Sequence, residues 1–433
     1  MEVLAMIREI TRKDIARIQG GRNSDFSGAE KVVKPILADV KKQGDKALRK
    51  YTRKFDRVEL RGIEVSGAEI RAALGKISKT ELSALKTAKR NIERFAEGQL
   101  PKEWSRKMGN GVIAGEIVRP LDIVGIYVPG GKYPLASSVL MNALPAKVAG
   151  VSKIVMCTPP SRDAAGPLGG KSNVGAMVLA AAKIAGVDRV FKVGGAQAIA
   201  AMAYGTESIP KCDKIVGPGN IFVTAAKKIV FGQCGIDFLA GPSEVMVIAE
   251  KGNPKFIAAD LLAQAEHDEN ASAILVTTSK KLAKEVKDEV GRQLKELGTA
   301  ATARKSLKKY GGILVVKNLN EAFEVANGFA PEHLEIVGGN EGLLKKVRNA
   351  GGVFLGEYSA EVMGDYATGT NHVLPTGGFA RARGGLSAAD FVKVMAVQRL
   401  SKEGLKRLGR TVVALAESEG LEGHAKAVKV RMK

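Results

Sequence analysis

The stretch LDIVGIYVPGGKYPLASSVLMNALPAKVAGVSKIVMCTPP, residues 121–160, sets the architecture. Its ends, LDIVGIYVP and SKIVMCTPP, are short apolar runs bounded by glycine and proline, and they read as strands. Between them lie a turn, GGKYP, and a helix, ASSVLMNALPAKVAG. A strand, a helix and a second strand at this spacing form a parallel pair joined by a crossover. The cycle repeats downstream with a helix near 173–186, the strand RVFKVGG, a helix from Ala196, the strand KIVGPGN and a helix at 220–231. A second series follows: EVMVIAE, ASAILVTTS, GGILVVK, HLEIVGG and GGVFLGE as strands, with helices at 254–267, 280–297, 319–328 and 341–349. The chain therefore reads as two α/β units in tandem, joined near GPSE at 241–244, each a parallel sheet covered by helices.

Upstream, residues 28–50 and 78–98 carry apolar positions at helical spacing. Downstream, residues 401–433 form a basic helical tail with too little apolar surface for a domain, so it must pack on the body or on a partner chain. The 433 residues suggest two or three domains. A 45% hydrophobic and 26% charged composition excludes disordered and fibrous classes. Fifty glycines and one tryptophan fit many tight turns and an aliphatic core. No apolar run approaches the roughly 18 residues of a membrane span. The start, MEVLAMIREI, carries Glu2 and Arg8 in its apolar run, unlike a secretory leader. Cys157, Cys212 and Cys234 make no paired framework, which fits a reducing cytoplasm. The net charge of +22 invites a nucleic-acid reading. The charges are dispersed, however, as in VKKQGDKALRKYTRKFDRVEL, and no basic motif with interleaved aromatics or Cys/His finger accompanies them. A basic surface with no specific nucleic-acid partner, hospitable to anionic cofactors, is the expectation.

The four histidines, His267, His333, His372 and His424, all lie in the second half, in polar or helix-end contexts. Histidine suits metal ligation and proton transfer near neutral pH. In QAEH, Gln264 and His267 stand three apart at the end of an apolar helix, on one face. They could give two ligands to one ion, or His267 could simply offset the helix dipole. In FAPEHLEI, Pro331 stiffens a turn before Glu332 and His333, a carboxylate and an imidazole suited to acid–base work or, equally, to turn capping. The polar, glycine-rich GDYATGTNHVLPTGG (364–378) follows a strand, where α/β sheets place ligand loops, and offers Asp365 and His372. The tail adds Glu419 and His424, which would have to reach a site from outside the body, for instance from another subunit.

No dinucleotide fingerprint is present. GNGVIA (109–114) neither follows an expected strand nor opens a helix. VPGGKYP (128–134), VGGAQA (193–198) and GPGN (217–220) follow strands and lead into helices. Glycines there let backbone approach a phosphate, though ordinary turns also want glycine. Cys157 reads either as a small buried residue or as a thiol nucleophile.

The run IDFLAGPSEVMVIAEKGNPKFIAADLLAQAEH (236–267) closely resembles the signature of the histidinol dehydrogenase family. GIYVPGG, GGAQAIAAMAYGTESIP, KIVGPGN, FAPEHLEI, GDYATGTNHVLPTGG and EGLEGHAKAV resemble it too, from about residue 110 to the end. The resemblance implies a zinc- and NAD-dependent oxidation of L-histidinol, through L-histidinaldehyde, to L-histidine, the last step of histidine biosynthesis. It implies two incomplete Rossmann-like units in an intertwined homodimer. The organisation would be an N-terminal segment 1–25 packing with the C-terminal region, a catalytic unit 26–126 plus 244–387, a cofactor unit 127–243 and a tail 388–433 serving the partner subunit. By motif, Gln264, His267, Asp365 and His424 would ligate zinc and also meet substrate, with His424 supplied across the dimer. Glu332 and His333 would transfer protons. Ser243, Glu419 and His333 would contact substrate; Tyr127, Gln197 and Asn220 would contact NAD. The stretches GPLGGKSN (166–173) and GGFARARGGL (377–386) depart from the family pattern. A related zinc- and NAD-dependent dehydrogenase of another small polar alcohol, such as a sulfonated diol, is the alternative.

Overall fold

A computed structural model describes residues 7–21, 26–130, 135–160 and 174–433. The start of MEVLAMIREI, the GKYP part of the first turn (131–134) and the GPLGGKSN variation lie outside the described residues. The chain opens with helices α1 (Arg12–Gly20), α2 (Ser27–Gln43), α3 (Asp45–Phe55), α4 (Gly67–Leu74) and α5 (Lys79–Glu97). Thr11, Ser66 and Ser78 start α1, α4 and α5 with reciprocal capping boxes to Asp14, Glu69 and Glu81.

Strands β1 (Trp104–Gly109) and β2 (Val112–Pro120) form an antiparallel hairpin turned at Asn110–Gly111. GNGVIA therefore does follow a strand, but it leads into a second strand, and no phosphate-binding helix opens there. The first α/β unit comprises β3 (Ile123–Tyr127), α6 (Ala136–Val148), β4 (Lys153–Cys157), α7 (Ala176–Ala185), β5 (Arg189–Phe191), α8 (Gly195–Tyr204), β6 (Lys214–Val216), α9 (Ile221–Val230) and β7 (Gly235–Ile236). The second comprises β8 (Glu244–Ala249), α10 (Pro254–Ala265), β9 (Ser272–Thr277), α11 (Lys280–Gln293), α12 (Ala300–Tyr310), β10 (Gly312–Val315), α13 (Leu319–Phe329), β11 (His333–Val337), β12 (Gly352–Leu355) and α14 (Glu361–Tyr366). Residues 341–346 form a 3-10 turn where a helix was expected. The chain ends with β13 (Val392–Leu400), α15 (Lys402–Ser418) and α16 (Glu422–Met432).

Both five-stranded sheets are wholly parallel, in the orders β5-β4-β3-β6-β7 and β10-β9-β8-β11-β12. Each has the 3-2-1-4-5 order of a Rossmann-like sheet lacking its sixth strand. Central strands β8 and β9 are buried along their whole length, as expected of strands covered on both faces. Helices α2 and α3 pack on α8 and α9, and α4 and α5 on α6 and α7. Ile36, Leu48 and Ile92 join the aliphatic core of the first sheet. This differs from the expected grouping of 26–126 with 244–387. The apolar faces of α2–α5 cover the sheet that contains β3, which immediately follows them. Helix α1 instead packs on α13, and Glu9 bridges Ile313 at the outer edge of the second sheet. The stretch 388–433 is not all helix: β13 pairs along β2 to complete a small antiparallel sheet, β1-β2-β13.

Candidate active site

The histidine cluster gathers at the amino ends of β8 and β11, neighbours in the second sheet. There the strands start at Glu244 and His333, and the antiparallel helix α10 ends beside them with Gln264 in its last turn. Two backbone–carboxylate bonds lock the strand starts together. The Glu244 amide donates to Glu332 Oε2 at 2.8 Å, and the Glu332 amide donates to Glu244 Oε2 at 3.1 Å. The second carboxyl oxygen of Glu244 accepts the Gly377 amide at 2.9 Å. His333 Nδ1 donates to the Glu244 carbonyl at 3.0 Å. Its Nε2 lies 3.7 Å from Asp365 Oδ1 and has no hydrogen-bond partner among the described residues. With one ring nitrogen fixed on a carbonyl, the other is left open to a ligand.

Asp365 comes from α14, whose short turn carries it back from the end of β12 to the amino edge. The stretch 364–378 is thus the end of a helix and its exit, not a loop at the carboxyl edge. His372 braces that exit, with Nδ1 2.9 Å from the Asp365 carbonyl and Nε2 3.4 Å from Ser138 Oγ on α6. Asn371 also donates to the Met141 carbonyl at 2.7 Å, so this edge abuts α6 of the first unit.

Carboxyl groups crowd this edge. Burial pushes Glu332 up to about 7 and Glu361 up to about 8. Glu335 is likewise raised by burial and by the Asp260 and Glu361 carboxyls. Burial disfavours protonation of His333, but Glu332, Asp365 and Glu361 outweigh it and hold its pKa well above the usual 6.5. Asp365 is held low against its burial, chiefly by His333, with His372 and His267 adding to the effect. Carboxyls driven up in this way hold protons near neutrality that a cation entering the edge would displace. The Gln264 Oε1 is buried without a partner, and His267 stands just beyond α10. Among the described residues, no three His, Cys, Asp or Glu side chains of the single chain form a metal cage. Glu419 and His424 lie on the α15–α16 hairpin, with His424 exposed.

The first sheet presents the other half, at its carboxyl edge. Tyr127 ends β3, and its hydroxyl oxygen accepts the Gly195 amide at 3.0 Å, at the start of α8. Burial pushes that hydroxyl up to about 12, so it stays protonated. Gln197, in the first turn of α8, is buried with its Oε1 unpartnered. Asn220 caps α9: its Oδ1 accepts the Phe222 and Val223 amides at 3.1 Å each. That leaves only its amide nitrogen for a ligand. Gly217 has φ +115°, and a Cβ there would fall 2.1 Å from the Tyr127 carbonyl oxygen, so the β3 and β6 turns touch because Gly217 has no side chain. Cys157 is fully buried and burial raises its thiol, which makes it a small core residue and not a thiolate nucleophile.

A family model described as histidinol dehydrogenase matches residues 21–432.

The chain belongs to the histidinol dehydrogenase family.

The histidinol dehydrogenase of Clostridium acetobutylicum is 51% identical over 417 residues, spanning 96% of this chain and 94% of that one. That of Methanothermobacter thermautotrophicus is 47% identical over 433 residues, spanning 99% and 100%. A crystal structure of histidinol dehydrogenase from Elizabethkingia anophelis superposes with a TM-score of 0.90 at 39% identity, covering 99% of this chain and 94% of that one. As a histidinol dehydrogenase family member the chain is an oxidoreductase. Motif reading reached Gln264, Glu332, His333 and Asp365, which the fold brings to one edge. It missed Glu244 and Glu361, which sit in strand and helix starts without any spacing signal, and it left His372 without a role.

Proposed function

We propose that the chain oxidises L-histidinol to L-histidine through L-histidinaldehyde, using two NAD and one zinc per subunit. Gln264, His267 and Asp365 would hold the metal with His424 of a second copy. The donor set fits: the unpartnered Gln264 Oε1 and the acidic edge around Asp365 are suited to a borderline cation with nitrogen and oxygen ligands. Gln197 and the crowded glycine turns suit a dinucleotide. When bound, zinc supplies the charge that orients the amine and imidazole of the substrate, and NAD accepts the hydride.

The orphaned Nε2 of His333 carries the reading. The surrounding carboxyls that raise the pKa of the ring would be drawn to the bound cation, and the neutral ring would then take the hydroxyl proton as hydride leaves, while the Glu244 carbonyl holds it. Glu332, with its pKa near neutrality, takes a proton from the water that hydrates the aldehyde, and His333 serves again in the second oxidation. Ser243, at the start of β8, and Glu419 orient the polar groups of the substrate.

The tail supports a homodimer. After Val392 every residue of β13 is exposed, and Met395, Val397, Val412, Leu415 and Val430 present apolar surface there that a second copy would cover. No helix of the described residues is long and apolar enough to cross a membrane.

The test is NADH formation from L-histidinol. Two NADH per histidine, lost with a chelator and restored by zinc, is the expected result. One NADH with free aldehyde released contradicts the mechanism.

A further inference from the structure

Among the described residues, eight buried side-chain atoms lack a hydrogen-bond partner. Gln264, His333, Glu335 and Glu361 account for four, all at the edge already described. The other four belong to the first unit and the helices packed on it: Asn142 on α6, and Thr52, Asp56 and Gln197. Thr52 and Asp56 lie one turn apart at the end of α3, which packs on α8, the helix that carries Gln197.

Asp56 is at an odd place for an acid. It caps the carboxyl end of α3, where the helix dipole disfavours negative charge. Its amide closes the helix on the Thr52 carbonyl at 2.9 Å, but its Oδ2 meets nothing. Arg53 pairs with Glu59 and Lys54 lies over the Phe55 ring. Burial accordingly pushes its carboxyl up to about 6. A buried acceptor with no partner is costly unless a ligand supplies a donor.

Register locates the group. Past α3 the chain runs antiparallel to β5: the Val65 amide donates to Val190 and the Lys192 amide to Ile63, both at 2.8 Å. Read backwards from Ile63, the chain heads toward the carboxyl end of β5, and Val58 and Leu60 join the core that holds Val193 and Ala196. Asp56 is close enough for its charge to act on Tyr127. The strand order makes β5 the outer edge of the sheet. The second unit and its exit meet this sheet away from β5: Asn371 donates to the Met141 carbonyl on α6, which crosses from β3 to β4, and Arg383 donates to the Asp237 carbonyl beyond β7, the opposite edge. A dinucleotide with its nicotinamide toward His333, passing Tyr127 and Gln197, brings only its adenosine half to β5.

We infer that Asp56 binds the ribose diol of the adenosine half and selects NAD over its 2′-phosphorylated form. The diol brings two O–H donors to an acceptor with an open oxygen. A 2′-phosphate would bring a second anion into a buried site. The inference rests on the reading that NAD lies across the three glycine turns.

The test is titration of the zinc-loaded, full-length protein with NADH and with NADPH, following the fluorescence of the bound nucleotide. The protein binds NADPH at least about 100-fold more weakly than NADH, and Asp56→Asn weakens NADH by about 10-fold or more. Asp56→Ala narrows the preference for NADH, with zinc content and the KM for histidinol unchanged. Wild-type affinities for both nucleotides in both variants would overturn the inference, as would a lowered melting temperature with unaltered NADH binding. Gln197→Ala separates the layers. If it weakens NADH while the Asp56 variants do not, the inference alone fails. If it too leaves NADH binding intact, the placement of NAD on these turns fails with it.

Discussion

His333 is held by the Glu244 carbonyl on one side and faces Asp365 on the other. Replacing it with Asn keeps a donor for the carbonyl and removes the base. Turnover of His333→Asn is expected to fall by on the order of 100-fold or more, with zinc content unchanged by metal analysis; full activity would remove His333 from proton transfer. Glu332 works as a base only when ionised, and burial puts its pKa at about 7. The second oxidation should therefore slow as pH falls through about 7, and Glu332→Gln should yield close to one NADH per histidinol across that range. A stoichiometry of two in that variant would assign the water to another group. The PEH motif singled out Glu332 and His333 from sequence, and the structure sets them side by side at the start of β11. The Glu244–Glu332 cross was not legible, because a backbone amide or carbonyl as partner leaves no residue signature.

The turn at 217–220 depends on elements around it. Lys227 of α9 and Asp237 after β7 form a buried ion pair. Lys227 Nζ donates to the Gly217 carbonyl at 3.0 Å, while the Gly217 amide donates to Asp237 at 2.8 Å. Breaking a buried pair strands the remaining charge, so Lys227→Met should cost about 3–5 kcal/mol in urea unfolding and raise the KM for NAD more than that for histidinol. A loss under about 1 kcal/mol would mean that water already screens the pair. Most parallel strands were readable because they are short apolar runs, and the central ones are buried on both faces; the two-residue, half-buried β7 was not. Nor were strands β1, β2 and β13. Their residues face solvent or half-face it, so neither an apolar run nor an alternation marks them, and only Gly109–Gly111 signals the hairpin. Packing of α2–α5 on the first sheet was equally illegible, since an amphipathic helix does not say which sheet its apolar face will meet.

Across the whole molecule, Asp390 fastens the 383–390 stretch, between α14 and the tail, to the first sheet. It pairs with Arg383 at 2.8 Å and with Lys214 of β6 at 3.3 Å, and Arg383 in turn donates to the Asp237 carbonyl at 2.9 Å. Burial would raise its pKa, but Lys214 and Arg383 hold it below the ordinary 3.8. Its contribution is therefore complete above about pH 4 and is lost as pH falls through the lower folded value. Acid unfolding below pH 4 should be less steep in Asp390→Asn than in the parent; identical acid limbs would show that the clamp carries no linked proton. At the same scale, the proposed reading has a second copy bring the exposed His424 to Gln264, His267 and Asp365. Anomalous scattering at the zinc edge, from crystals of the zinc-loaded protein, tests this directly. The account predicts one strong peak per subunit among Gln264, His267 and Asp365 of one copy and His424 of the other. Those four side chains around no common peak, or a peak bound elsewhere, would contradict it.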